Sequence, residues 1–208
     1  MKITEAQDRL FDLDPTGREG LEGLRARCAS CERCVLSQTR TKSVFGEGNA
    51  SRPKICFVGE APGEAEDRSG RPFVGSAGVI LDRMISAMGL KREDLYLMNS
   101  VSCRPPGNRS PTKEEVAACH EYLVGQIRAI RPVIIIALGG TALRALIGGR
   151  KKIEEARGKW HDFLGIPVMP TLHPATVAAV HEAKAVMEIR QLVWSDLQLV
   201  LQRLDFLQ

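Results

Sequence analysis

The chain has 208 residues, 44% of them hydrophobic and 26% charged, a globular composition that excludes fibrous and low-complexity classes and allows one domain with a real core. Its 29 lysines and arginines against 25 acids give a formal charge of +4, which suits a nucleic-acid partner without demanding one. The longest apolar run, 133–138, is far too short to span a bilayer, and MKITEAQDRLFDLDP lacks the apolar core and cleavage site of a secretion signal, so a soluble, cytoplasmic chain is expected.

Residues 1–27 read as a charged helical lead-in interrupted by Gly17, Gly20 and Gly23, and 28–208 as a single domain. Lys54 to Val58 is an apolar run ending at Gly59, the first expected strand. After a loop over 59–75, the spacing of Val79, Ile80, Met84, Ile85 and Met88 predicts a helix from Gly75 to Met88, closed by Gly89. Leu95 to Val101 is a second strand, followed by the loop CRPPGNRSP. Thr112 with Glu115 three residues later is a capping box, predicting a helix to about Ile130 that stops before Pro132. Val133 to Leu138 is continuous and β-branched, the mark of a strand covered on both faces. Gly139-Gly140-Thr141 turns into a short helix ending at Gly148-Gly149. Ile166 to Pro170 is a fourth strand, followed by LHPA and a last helix from about Glu182 to Leu204.

Strand and helix alternate, which predicts a three-layer α/β/α domain around a central, mainly parallel four-stranded sheet. In that architecture, ligands bind where loops leave the carboxyl ends of the strands. The loops 59–75, 99–111, 139–141 and 171–177 should therefore converge.

Those loops hold the unusual residues. GEAPGEAEDRSGRPFVG matches neither phosphate-binding glycine pattern, and its acids would repel phosphate. It reads either as a solvated acidic turn or as a stiff backbone carrying Phe73 against a flat ligand. Cys31-x2-Cys34 with Cys103 and Cys119 supplies four thiols, enough for zinc or an iron–sulfur cluster, although Cys28/Cys31 is an equally spaced pair. Cys56, alone in an apolar strand, reads as a core residue. Asn99 ends the second strand with one donor and one acceptor edge, the complement of a pyrimidine imide. His173 follows the last strand, whereas His120, His161 and His181 are expected at the surface.

In order along the chain stand C-x2-C-x-L with RT and VFGEG (31–48), GEAPGEAEDRSGRPFVGSAG (59–78) and NSVSCRPPGNRSP with Cys119 downstream. LGGTAL (138–143), RGKW (157–160) and PTLHPA (170–175) follow. Over about residues 28–200 this series resembles the family 4 uracil-DNA glycosylases, the iron–sulfur-containing branch of the uracil-DNA glycosylase superfamily. The resemblance implies a monofunctional DNA-repair enzyme that flips uracil out of DNA and hydrolyses its N-glycosidic bond; nothing in the sequence signals oligomerisation, and a monomer is expected. It implies a [4Fe–4S] cluster on Cys31, Cys34, Cys103 and Cys119, with Cys28 outside the pattern. Phe73 would stack on the base, Asn99 would pair with its O4 and N3–H edge, and backbone near Glu60 and Ala61 would complete the contacts. His173 would stabilise charge at O2. Ala61 stands where the best-known branch has an aspartate, which leaves Glu60 or Glu66 to position water, Glu60 being nearer the motif core. Pro174, Ala175 and Arg109 would meet DNA, with Val177 and Val180 as an apolar wedge. TVAAVHEAK carries no arginine to support that wedge. Relatives that capture uracil covalently carry a histidine-containing insertion after the second strand, and PGNRSP has none.

Overall fold

Six strands form one sheet: β1 (Glu47–Gly48), β2 (Ile55–Gly59), β3 (Tyr96–Asn99), β4 (Ile134–Leu138), β5 (His161–Phe163) and β6 (Ile166–Thr171). The structure, a computed structural model, describes residues 20–179 and 182–206. Most of the expected lead-in, together with Val180 and His181, lies outside the described residues. Strand order is β1-β3-β2-β4-β6-β5. The inner four strands are parallel and lie where the sequence put them. The sheet has six strands rather than four because β1 and β5 add antiparallel edges. At two and three residues these are too short and too polar to show an alternating pattern.

Every residue of β2, β3 and β4 is buried, as a sheet sandwiched between helices requires. Side chains alternate between two apolar layers. Ile55 and Phe57 pack with Leu81 and Ile85 of α3 (Ser76–Ala87) and Leu197 of α8 (Ala183–Phe206). On the other face, Cys56 and Val58 pack with Leu123 and Ile127 of α4 (Lys113–Ile130) and Ala142 and Leu146 of α5 (Gly139–Ile147). Cys56 is fully buried, and burial pushes its thiol far above the ordinary range. It is a core residue, as its setting in the sequence suggested.

The helix punctuation follows local chemistry. Thr112 Oγ1 accepts from the Glu115 N–H at 3.2 Å, and Glu115 Oε2 accepts from the Thr112 N–H at 2.8 Å, the reciprocal capping box. The helix it opens ends with Arg131 in the left-handed region, just before Pro132. The first helix, α1, is Leu21–Ala29, and the 59–75 segment is less of a loop than its composition suggests, since Glu64–Ser69 forms a short helix, α2. Two further short helices, α6 (Ile153–Ala156) and α7 (Pro174–Ala179), flank β5 and β6. No helix among the described residues is long and apolar enough to cross a membrane.

Candidate active site

Sheet register sets the site. Gly59 pairs with Asn99, Val58 with Ala137, and Leu138 with Thr171, so the four parallel strands end side by side and their loops meet above one edge. A cavity of about 370 Å³ opens there, lined by Ala61, Glu66, Phe73, Asn99, Asn108 and His173, among others. That volume is in the range of a small-molecule pocket.

Phe73 is buried, with its backbone in the left-handed region at φ 53, a costly conformation for an aromatic residue that persists only where its surroundings hold it. Two glycines hold it. A Cβ on Gly78 would lie 2.0 Å from the Phe73 carbonyl oxygen, so only glycine lets α3 pack this close. A Cβ on Gly59 would lie 2.6 Å from Phe73 Cζ and 2.5 Å from Asn99 Oδ1, so the glycine floor seats both side chains. His173 faces the phenyl ring at 6.5 Å between centroids, tilted by 30°.

Asn99 is 6% exposed, yet its side-chain amide makes no hydrogen bond with any described residue. No buried side-chain nitrogen or oxygen among the described residues lacks a partner, so the unbonded edges of this amide open on the cavity and are available to whatever fills it. The strand end beneath it is fixed by Ser100, whose N–H and Oγ both donate to the Gly59 carbonyl, at 2.9 and 2.8 Å.

The three acids of the 59–66 segment separate by environment. Glu66 is buried, and its carboxylate accepts the N–H groups of Gly63 (3.0 Å), Val74 (2.9 Å) and Gly75 (2.7 Å). It staples both ends of the segment that carries Phe73. Glu64 is exposed and pairs with Arg68 and Arg104, the solvated carboxylate its setting suggests. Glu60 lines a second cavity of about 280 Å³ that shares Ala61, Asn108, His173 and Ala175 with the first. Its Oε2 accepts from Thr141 Oγ1 at 2.5 Å. Thr141, within LGGTAL, is a further site residue that carries no signal of its own in the sequence.

His173 stands between the two cavities. Its Nδ1 accepts the Ala175 N–H at 3.1 Å, so in the neutral ring the proton sits on Nε2. Burial lowers its pKa, and the Glu60 charge opposes that only in part. A neutral imidazole with an Nε2–H donor is the resulting species. The strand end that presents it is anchored by Thr171, whose Oγ1 donates to buried Asp196 at 2.6 Å. Arg157 closes the same network on Asp196 through Nε at 3.1 Å and Nη2 at 2.8 Å, which accounts for the arginine of RGKW.

The expected DNA-facing residues fare unevenly. Ala175 is exposed at the rim of both cavities and Pro174 is buried at the start of α7. Val177 is a correction. It is buried in the layer between α3 and α8, because α7 turns that position inward, so as placed it is core and not a wedge. Arg109 lines the second cavity, but its guanidinium is held bidentate by Glu115, at 2.6 and 2.8 Å. His120 and His161 are likewise half-buried rather than surface residues. Each ring meets a backbone carbonyl, that of Ala145 at 3.1 Å and that of Ala156 at 3.3 Å.

The thiols gather near the same strand ends. Cys28, Cys31 and Cys119 pack with Phe45 and Tyr122, while Cys34, Cys103 and Cys119 pack with Leu36 and Val101. Arg40 Nη1 donates to Cys103 Sγ at 3.1 Å, and the Ser102 N–H donates to Cys119 Sγ at 3.3 Å. Burial raises the Cys119 thiol to about 12, with the neighbouring Cys28 and Cys103 adding to the rise. At Cys31 burial is outweighed by hydrogen bonds from the Arg33 backbone, Tyr122 and the Arg33 side chain, and the pKa falls. No three His, Cys, Asp or Glu side chains among the described residues converge at metal-binding distance.

Residues 45–198 match the sequence model of the Uracil DNA glycosylase superfamily. A Type-4 uracil-DNA glycosylase of Thermotoga maritima is 44% identical over 185 residues, covering 88% of this chain and 94% of the relative. One from Archaeoglobus fulgidus is 42% identical, covering 76% of this chain and 83% of the relative. A Type-5 uracil-DNA glycosylase of Pyrobaculum aerophilum is 29% identical over 71% of this chain and 78% of the relative.

Proposed function

Because the chain belongs to the uracil-DNA glycosylase superfamily, within its type-4 branch, we propose that it excises uracil from DNA by hydrolysing the N-glycosidic bond and leaves an abasic site. The observation that carries this reading is Asn99: an amide without a hydrogen bond to any described residue, opening on a cavity walled by Phe73 and His173. Such an amide has a use only when a ligand with complementary donors and acceptors arrives.

The geometry supports the following sequence of events. Uracil leaves the stack, because its glycosidic bond is unreachable within the duplex. Its ring lies against Phe73. The Asn99 amide donates to O4 and accepts N3–H, while the backbone around Glu60 and Ala61 holds the remaining edge. Cytosine presents the reverse pattern and leaves two buried groups unpaired, a cost of about 1–3 kcal/mol for each. As the C1′–N1 bond breaks, its electron pair passes to the base, and negative charge grows on O2. The His173 Nε2–H is the donor for that charge, an electrostatic contribution of about 3–4 kcal/mol where such donors have been removed. Water adds to C1′ and gives up its proton to the Glu60 carboxylate. Glu66 takes no part in that transfer, since three backbone N–H groups already occupy it. Pro174 and Ala175 at the rim, with Arg109 close by, meet the DNA strand.

Cys31, Cys34, Cys103 and Cys119 would hold a [4Fe–4S] cluster. The N–H donors from Arg40 and Ser102 to two of these sulfurs suit thiolates that ligate iron. When bound, the cluster ties residues 31–34 to the 103–119 segment as a structural cross-link. The enzyme works as a monomer in the cytoplasm.

Incubation with a uracil-containing oligonucleotide, followed by alkali and a denaturing gel, tests the reading. Strand breaks at uracil and none at cytosine or thymine are expected. A protein–DNA adduct that survives denaturation would instead mean covalent capture, and intact DNA would mean binding without chemistry.

A further inference from the structure

We infer that Thr141 is the positioning residue for Glu60: its hydroxyl pins one carboxylate oxygen so that the other is presented to water. This rests on the reading of Glu60 as the acid that orients the nucleophile. Thr141 is 5% exposed in the first turn of α5 and donates to Glu60 Oε2 at 2.5 Å. One turn on, Arg144 Nη2 lies 3.4 Å from the same hydroxyl oxygen. A guanidinium only donates, so the Thr141 proton must point at the carboxylate. Oε1 of Glu60 has no hydrogen-bond partner among the described residues, which leaves it for a water in the cavity that Glu60 lines.

The whole Gly139-Gly140-Thr141 turn fits this role. Gly139 has φ +84 and its added Cβ would lie 3.1 Å from the His173 Cβ, so a side chain there would press on the histidine. A Cβ on Gly140 would lie 2.9 Å from Arg144 Nη1, crowding the guanidinium that orients the hydroxyl. The turn leaves β4, the parallel neighbour of β2, and Glu60 is the first residue after β2 ends at Gly59. Two adjacent strand ends thus lock one carboxylate. A glutamate has three side-chain torsions to restrain, and a misplaced catalytic group is costly to rate. Thr141 touches no reacting atom. It acts through Glu60.

Single-turnover and steady-state kinetics on uracil DNA test this with purified full-length protein and the variants T141V, T141S, E60Q and T141V/E60Q. T141V removes the hydroxyl and keeps the shape. It should lower kcat by about ten- to a hundredfold with KM unchanged. T141S should recover most of that loss, and T141V/E60Q should be no slower than E60Q. Full kcat in T141V overturns the inference, as does a loss that appears in KM or that multiplies undiminished on the E60Q background. If E60Q itself turns over at the parental rate, the Glu60 reading fails and the inference falls with it. A slow E60Q beside a fully active T141V sinks the inference alone. Thermal melts establish folding, and if T141V does not fold, T141A against T141S carries the same comparison.

Discussion

Asn99→Ala separates recognition from stability. In the free protein the Asn99 amide is 6% exposed and bonds to no described residue, so its removal breaks no internal hydrogen bond. Folding stability should therefore change by no more than about 0.5 kcal/mol. In the proposed uracil complex the same amide would make two neutral hydrogen bonds at a desolvated edge. At about 1–1.5 kcal/mol each the loss is about 2–3 kcal/mol of transition-state binding, or roughly 30- to 160-fold in kcat/KM. Excision rates on a uracil oligonucleotide, measured beside a thermal melt, read both quantities on one sample. A kcat/KM within about threefold of the parent would refute a recognition role for Asn99. So would a Tm drop of more than about 5 °C, because that would show the amide to be part of the strand end's own architecture.

Gly78→Ala puts a methyl 2.0 Å from the Phe73 carbonyl oxygen. It should cost about 1–3 kcal/mol of stability and displace the stacking ring, so that excision falls by more than stability alone explains; unchanged kinetics would refute the tight-packing argument. Asp196→Ala leaves the Arg157 guanidinium, 15% exposed, without its carboxylate, at a cost of about 3–5 kcal/mol and a Tm lower by roughly 10 °C; a shift below about 2 °C would show the network to be dispensable. His173, with its pKa lowered by burial against the partial opposition of Glu60, stays neutral below the usual 6.5. Activity should persist as pH falls through 6.5 and fail only lower. The unfolded chain takes up its proton first, so stability declines over the same window as pH falls; NMR titration of His173 at or above 6.5 would refute this. Protein purified without oxygen should be brown and hold about four irons per chain. Iron should be lost in Cys103→Ser and kept in Cys28→Ser, and colourless protein containing zinc would overturn the cluster assignment.

Much of this was legible along the chain because the relevant physics is local. Val133 to Leu138 reads as a buried strand from its own β-branched run, and Thr112 with Glu115 caps a helix within four residues. What escaped notice was either too short or too distant in sequence. β1 and β5 carry too few residues for a period to emerge, and α2 lies hidden among glycine, proline and acids. Val177 looked like a wedge because HPATV follows the last strand, but the rotation of α7 about its axis, which no spacing in six residues fixes, turns it into the core. Asp196 lies 25 residues from Thr171, on a helix whose partner across the fold its own sequence does not name.

The motifs by themselves determined the α/β class, the four parallel strands and the set of loops that meet at their carboxyl ends. Alternating periodicity and right-handed crossover leave little other choice. Tertiary structure alone decided which partners each acid meets. Glu60 and Glu66 share one loop and one charge, and only the neighbours brought in by folding distinguish them. Three backbone N–H groups claim Glu66, whereas a hydroxyl from the first turn of α5, 81 residues away, takes one oxygen of Glu60 and leaves the other without a partner among the described residues. A carboxylate's role is set by which of its lone pairs are already occupied, and that is a property of the folded molecule.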